Sequence, residues 1–174
     1  MLAGLDHPDS GAIELGGEKI SGMSEEDLTR VRATKVGIVF QQFHLLQTLT
    51  ALENVALPLE ISGHTDARGE AMRRLESVGL SNRANHLPAE MSGGECQRVA
   101  IARALVVKPK ILLADEPSGN LDNKTGERIT ELLFDLVKQE GTTLILVTHN
   151  EDLARRCDLR FHLREGKLQQ ANES

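Results

Sequence analysis

Two short apolar runs, 111–114 and 143–147, flank an amphipathic stretch, 125–139, that ends at Gly141. Strand, helix and strand in immediate succession require a right-handed crossover and make the two strands parallel members of one sheet. Ligands of such sheets bind beyond the carboxyl ends of the strands. Asp115 and Glu116 end the first strand, His149 follows the second, and Gln41 follows a third apolar run, 36–40. The chain therefore reads as α/β, with these four side chains gathered at one edge of the sheet.

The remaining segments attach to this core. Residues 12–20 alternate around Gly16-Gly17 as a hairpin. Ser24, with Asp27 three residues on, is a capping-box pattern opening a short polar helix toward Ala33. From 43 to 105 the pattern turns helical. Leu52, Val55, Leu57 and Leu59 form an apolar stretch that Pro58 interrupts; a charged segment, 67–78, stops at Gly79; 85–90 is a loop; and a helix starts near Ser92. The division is an α/β core, 1–42 and 106–174, with a helical insertion, 43–105. A short helix over 151–157, a hairpin pairing 160–163 with 167–169, and a frayed tail from Gln170 complete the reading.

Composition narrows the function classes. A net charge of -6 in 174 residues withholds the basic face that a general nucleic-acid binder uses to displace counterions. Aromatics at 2 %, with no Trp or Tyr, leave little for base stacking, so no nucleic-acid partner is expected. No apolar run approaches the ~20 residues of a membrane span, and the first residues lack the regions of a signal peptide. The expectation is a soluble protein able to dock on a membrane partner. Cys96 and Cys157 have no metal-ligand spacing and read as reduced cytoplasmic thiols.

Met91-Ser92-Gly93-Gly94-Glu95-Cys96-Gln97-Arg98 sets a serine and two glycines ahead of a helical run, a donor-rich N-terminus suited to an anion. With Ile111-Leu112-Leu113-Ala114-Asp115-Glu116-Pro117, it resembles the nucleotide-binding subunit of ABC transporters, whose signature is Leu-Ser-Gly-Gly-Gln and whose Walker B is four apolar residues followed by Asp-Glu. The resemblance runs from Leu2 to about Gln169, with five motifs in the family's order. Phe40-Gln41-Gln42-Phe43, Leu52-Glu53-Asn54-Val55 and the run from Asp115 to Asp122 look like the lipoprotein-release and macrolide-exporter branch.

The resemblance implies a P-loop NTPase core with an inserted helical subdomain. It also implies ATP and Mg²⁺ as ligands, and hydrolysis coupled to export or lipoprotein extraction by a transmembrane permease at the inner face of the cytoplasmic membrane. Asp115 would hold Mg²⁺ directly or through water, and Glu116 would orient or deprotonate the attacking water. Gln41, with Gln42 as adjacent rival, matches the Q-loop glutamine that reaches a metal water; His149 matches the switch histidine at the γ-phosphate. Ser92, Gly93, Gly94 and Glu95 would close on ATP held by the Walker A of a second nucleotide-binding subunit in a head-to-tail dimer. Asp122, in the D-loop run from Ser118, would lie near that partner's site.

The chain departs from the pattern in four places. Met91 replaces the signature leucine, and Glu95 stands where glutamine is more usual, although the lipoprotein-release and macrolide-exporter branch that the chain resembles often carries Glu there. Cys96 lies inside the signature helix, where its reactivity depends on exposure. The fourth departure is that the 174 residues contain no Gly-x-x-x-x-Gly-Lys-Ser/Thr loop. Residues 1–5 read as the uncapped tail of a helix, like the stretch that follows the family's Walker A helix. The expectation is an N-terminally truncated subunit that alone binds ATP very weakly, does not hydrolyse it, and leaves apolar sheet surface open. The alternative is a non-hydrolysing remnant or docking fragment. The DNA-repair relatives with a similar signature carry long coiled coils, and no sustained heptad occurs here.

Overall fold

The computed structural model describes residues 8–171; the expected helix tail over 1–5 lies outside them. Three parallel strands, β3 (Val36–Val39), β4 (Ile111–Asp115) and β5 (Thr143–Val147), form the central sheet in that order, after a small hairpin of β1 (Glu14–Leu15) and β2 (Glu18–Lys19). Register pairs Ile38 with Leu113 and Leu113 with Ile145. Successive side chains of a strand point to opposite faces. Leu112 and Ala114 accordingly enter the main core, while Ile111 and Leu113 pack with Leu15, Ile20, Leu28 and Val31 on the other side.

That second layer is supplied by the hairpin and α1 (Glu25–Lys35), whose N-cap Ser24 accepts from the Asp27 amide as expected. The main layer is helical: α2 (Ala51–Ile61), α3 (Ala67–Ser77) and α4 (Gly93–Leu105) lie in the chain between β3 and β4, and α5 (Asn123–Glu140) links β4 to β5. α5 buries Ile129, Leu133, Leu136 and Val137 at helical spacing, each contributing about 1.5–3 kcal/mol on burial. Gly141, at φ 66, ends it in the left-handed cap that glycine adopts without strain. β3 and α4 approach so closely that a Cβ on Gly37 would sit 2.4 Å from the Ala104 carbonyl oxygen.

Several expectations change. α2 runs through Pro58, because the proline falls in the last turn, where the missing N–H costs one intrahelical bond while buried Val55 and Leu59 still anchor the helix. The stretch 85–90 contains a 3-10 turn, Pro88–Glu90, after an earlier one at Ser81–Arg83. Among the described residues β5 is an edge of the three-stranded sheet, not the buried strand its continuous apolar run suggests, and Val147 is 59 % exposed, in line with the expected open sheet surface. Helix α6 (Glu151–Ala154) is shorter than 151–157. The final hairpin forms from β6 (Phe161–Arg164) and β7 (Lys167–Gln170), and Gln170 pairs with Phe161 instead of fraying.

A half-buried polar pin ties the helical layer to α5. Arg74 of α3 pairs with Glu140 and donates to the Leu105 carbonyl at 2.9 Å, with its side chain only 11 % exposed. No helix among the described residues is long and apolar enough to cross a membrane.

Candidate functional site

The carboxyl ends of β4 and β5 lie side by side because the two strands pair in parallel up to Asp115 and Val147. The chain then turns sharply: Glu116 has φ 44, a left-handed conformation that costs a non-glycine residue about 1–2 kcal/mol. Its amide donates to the Val147 carbonyl at 2.9 Å, and its own carbonyl accepts from Gly119 at 3.0 Å. These bonds hold the turn and present the Glu116 side chain to the loop after β5.

There Oε1 of Glu116 accepts from both the backbone amide and the ring Nδ1 of His149, each at 2.6 Å, and Oε2 accepts from the Thr148 hydroxyl at 3.1 Å. An ionised carboxylate only accepts, so the geometry assigns the hydrogen to Nδ1. Glu116, Ser118, Asp122, Thr148, His149 and Arg156 line one cleft of about 460 Å³. The Asp115 carboxylate, at the exposed strand tip, makes no hydrogen bond or ion pair among the described residues.

Gln41 meets the loop after β4. Its Nε2 donates to Asn120 Oδ1 at 3.0 Å, and Asn120 Nδ2 donates back to the Gln41 carbonyl at 3.0 Å. A Cβ on Gly119 would fall 2.9 Å from that Nε2, so glycine is what allows the approach. Gln42 takes no part in this exchange and lines a separate groove beside Phe43 and Met91. Asp122 is the N-cap of α5; it accepts from Thr125, and that bonding holds its carboxyl below the ordinary range.

The signature residues stand apart from the Glu116 cleft but touch the segment that leads from it. Ser92 caps α4, and a full capping box forms with Glu95: Ser92 Oγ accepts from the Glu95 amide at 3.3 Å, while Glu95 Oε2 receives the Ser92 amide at 2.8 Å and the Ser92 hydroxyl at 2.9 Å. Oε1 of Glu95 accepts from Arg83 Nε at 2.9 Å. The Ser92 donors first, and Arg83 after them, hold the carboxyl down to about 2. Both oxygens of Glu95 are thus committed within its own chain. Gly94 is buried, and a Cβ there would lie 2.7 Å from Thr125 Cγ2, so this glycine is required by packing of α4 on the first turn of α5. Burial raises the Cys96 thiol, whose Sγ contacts the Pro88 carbonyl at 3.5 Å; the thiol is an inert, packed group.

Two residues in this region were not singled out from the sequence. Gln97 is fully buried; its Nε2 donates to the Pro117 carbonyl at 2.6 Å and reaches the Phe40 carbonyl at 3.4 Å, joining α4 to the ends of both β4 and β3. Its only signal is a polar residue in the stripe Gly94, Gln97, Ile101, Ala104, which carries helical spacing and is buried throughout. Arg83 ends one 3-10 turn and lies twelve residues before Glu95, beyond a second 3-10 turn, and no pattern in the sequence links them. Arg103 extends the same bracing, donating to the carbonyls of His44 at 2.6 Å and Phe43 at 3.0 Å.

Comparison with known proteins places this geometry. A family model described as ABC transporter matches residues 1–119. The chain is 51 % identical over 172 residues to the uncharacterized ABC transporter ATP-binding protein YbbA of Escherichia coli K12, covering 98 % of this chain and 75 % of that protein. It is 48 % identical to the lipoprotein-releasing system ATP-binding protein LolD of Xanthomonas campestris pv. campestris, over 98 % of this chain and 72 % of the relative. Among solved structures, the dimeric ATP-binding cassette MJ0796 in a post-hydrolysis state with ADP and Pi superposes with a TM-score of 0.83 at 39 % identity, covering 99 % of this chain and 78 % of the other.

Proposed function

Because the chain belongs to the ABC transporter family of ATP-binding proteins, we propose that it is the ATPase subunit of a transporter of the lipoprotein-releasing kind. It works as a head-to-tail dimer with a second nucleotide-binding subunit, on the cytoplasmic face of a transmembrane permease. The observation that carries the reading is the Glu116 carboxylate, held in a left-handed turn at the sheet's carboxyl edge and bonded to both the amide and the ring of His149. In this reading 43–105 is the helical subdomain and the flanking segments are the α/β core.

Hydrolysis adds water to the γ-phosphorus and breaks the bond to the bridging oxygen, so the protein's tasks are to orient water, take its proton and balance phosphate charge. Glu116 is the group that accepts the proton. The His149 side chain is 85 % exposed, and swinging its ring off Glu116 leaves Oε1 bonded to the His149 amide with one acceptor position for water, and frees the imidazole for the γ-phosphate. The donor set suits Mg²⁺: Asp115 offers a free carboxylate, and Gln41, whose Nε2 is engaged by Asn120, keeps its amide oxygen for a metal-bound water. No cluster of three His, Cys, Asp or Glu side chains suited to a metal occurs among the described residues, so Asp115 and Gln41 are the groups that would hold the ion. When bound, Mg²⁺ would neutralise charge on the phosphates.

Ser92, Gly93 and the free amides at the start of α4 clamp nucleotide held by the facing subunit, and Asp122 borders that site. A composite dimer tests this. The chain is mixed with a full-length cassette of the same family that carries its own phosphate-binding loop but has its signature serine replaced by arginine, so that turnover requires this chain's Ser92. Mg²⁺-dependent ATPase activity on mixing, abolished by Ser92→Arg in this chain, is expected. Equal rates with and without the Ser92→Arg change overturn the reading.

A further inference from the structure

Glu95 poses an electrostatic problem that the structure answers. It stands at the third residue of α4, in the turn whose free amides would receive a phosphate, and it brings a full negative charge where a glutamine brings none. Its Oε2 also takes the hydroxyl hydrogen of Ser92 at 2.9 Å, the hydrogen that Ser92 would otherwise offer to an anion. An uncompensated carboxylate here opposes the function of its own motif by like-charge repulsion and by competition for that donor.

Arg83 is the compensation. Its Nε donates to Glu95 Oε1 at 2.9 Å, and its Nη1 lies 3.2 Å from His86 Nε2, which braces the guanidinium from the far side. The segment carrying it is itself fixed: the Ala84 and His86 carbonyls accept from the free amides of Leu52 and Ala51 at the start of α2, each at 2.9 Å. Ala84 and Leu80 are buried beside it. Arg83 is thus delivered to the signature by a strut seated on the N-terminus of another helix. With side-chain exposures of 18 % for Glu95 and 40 % for Arg83, the pair is screened less than a free surface ion pair.

We propose that Arg83 is a positioning residue of the signature clamp, which neutralises Glu95 and holds it in the capping box so that the start of α4 can receive the terminal phosphate of a nucleotide bound by the facing subunit. This rests on the reading of the signature given above. It makes Arg83 the condition on which the chain tolerates glutamate where glutamine is more usual.

The composite dimer supplies the test, with Arg83→Met, Glu95→Gln and the double variant, each checked for an unchanged circular-dichroism spectrum. Arg83→Met keeps the apolar stem and loses the charge; it is expected to raise the ATP KM of the composite site about fivefold or more. The double variant is expected to return to the KM of Glu95→Gln, whatever value that single variant gives, because removing the carboxylate removes the need for compensation. A double variant as impaired as Arg83→Met, or an Arg83→Met variant with unaltered KM, overturns the proposal. Should Arg83→Met fail to fold, Arg83→Gln, which also loses the charge, takes its place in the same comparison. Loss of the signature reading itself shows differently, as absence of Ser92-dependent turnover in the unaltered chain.

Discussion

Asn54 is fully buried at the start of α2 and makes four side-chain hydrogen bonds. The two hydrogens of its Nδ2 are shared among the carbonyls of Leu46, Leu49 and Thr50 at 3.0–3.1 Å, and its Oδ1 accepts the Leu46 amide at 2.9 Å. Replacement by alanine does not orphan all four partners. Thr50 O keeps the Asn54 amide, and Leu46 O keeps the Leu49 amide. Leu46 N and Leu49 O are left with no other hydrogen bond among the described residues, so two lost bonds plus a small cavity give a cost of about 2–3 kcal/mol. In a chain of this size that lowers Tm by roughly 4–12 °C.

Asn54→Asp separates this account from one based on shape, because the isosteric carboxyl turns an oxygen toward three carbonyl oxygens. It is expected to be less stable at pH 7 than Asn54→Ala despite filling the space. Protonation lets the introduced carboxyl donate one bond, so its folded-state pKa is raised, and the variant loses stability as pH rises through the ordinary aspartate range. Urea melts followed by circular dichroism at pH 7 and pH 4 measure both effects. A carboxyl variant at pH 7 as stable as the original chain, or one stabilised by raising the pH, refutes the reasoning.

Two further stability predictions follow from close contacts. Gly37→Ala drives a Cβ into the Ala104 carbonyl and to 2.8 Å from Leu112 Cδ1. Neither helix backbone nor buried leucine can yield, so about 2–3 kcal/mol should be lost in a urea melt, whereas Gly119→Ala meets only the end of the Gln41 side chain and should cost less. Glu95 is held to about 2 in the folded chain from an ordinary 4.5. Its contribution is therefore complete above about pH 4.5 and is lost as pH falls toward 2. Glu95→Gln should flatten the acid limb of a stability–pH curve, and an unchanged limb would exclude the capping box as its source.

The sheet and its edge were legible because they rest on short-range patterns. The bounds of β5 match the apolar run, α5 and its glycine stop follow the 3.6-residue stripe, and Gln41, Asp115, Glu116 and His149 follow strand ends. What escaped the sequence depends on distant partners. Gly94 looks like a ligand-approach glycine until Thr125 is seen against it, and Arg83 has no local signature because its partner lies beyond a second 3-10 turn. Pro58 reads as a helix break because propensity is local, while the packing of Val55 and Leu59 that carries the helix past it is not. Open apolar sheet surface was expected, but its location at β5 was not: Leu144 and Leu146 face the core as an interior strand's would, and sheet order, not composition, makes β5 an edge among the described residues.

The left-handed turn at Glu116 sets stability and chemistry against each other at a single position. Glycine would occupy φ 44 without strain. A glutamate gives up that freedom and gains bonds to Thr148 and His149 that fasten the turn after β4 to the loop after β5. Putting glycine at 116 would therefore relax the backbone and unfasten the two loops in one step.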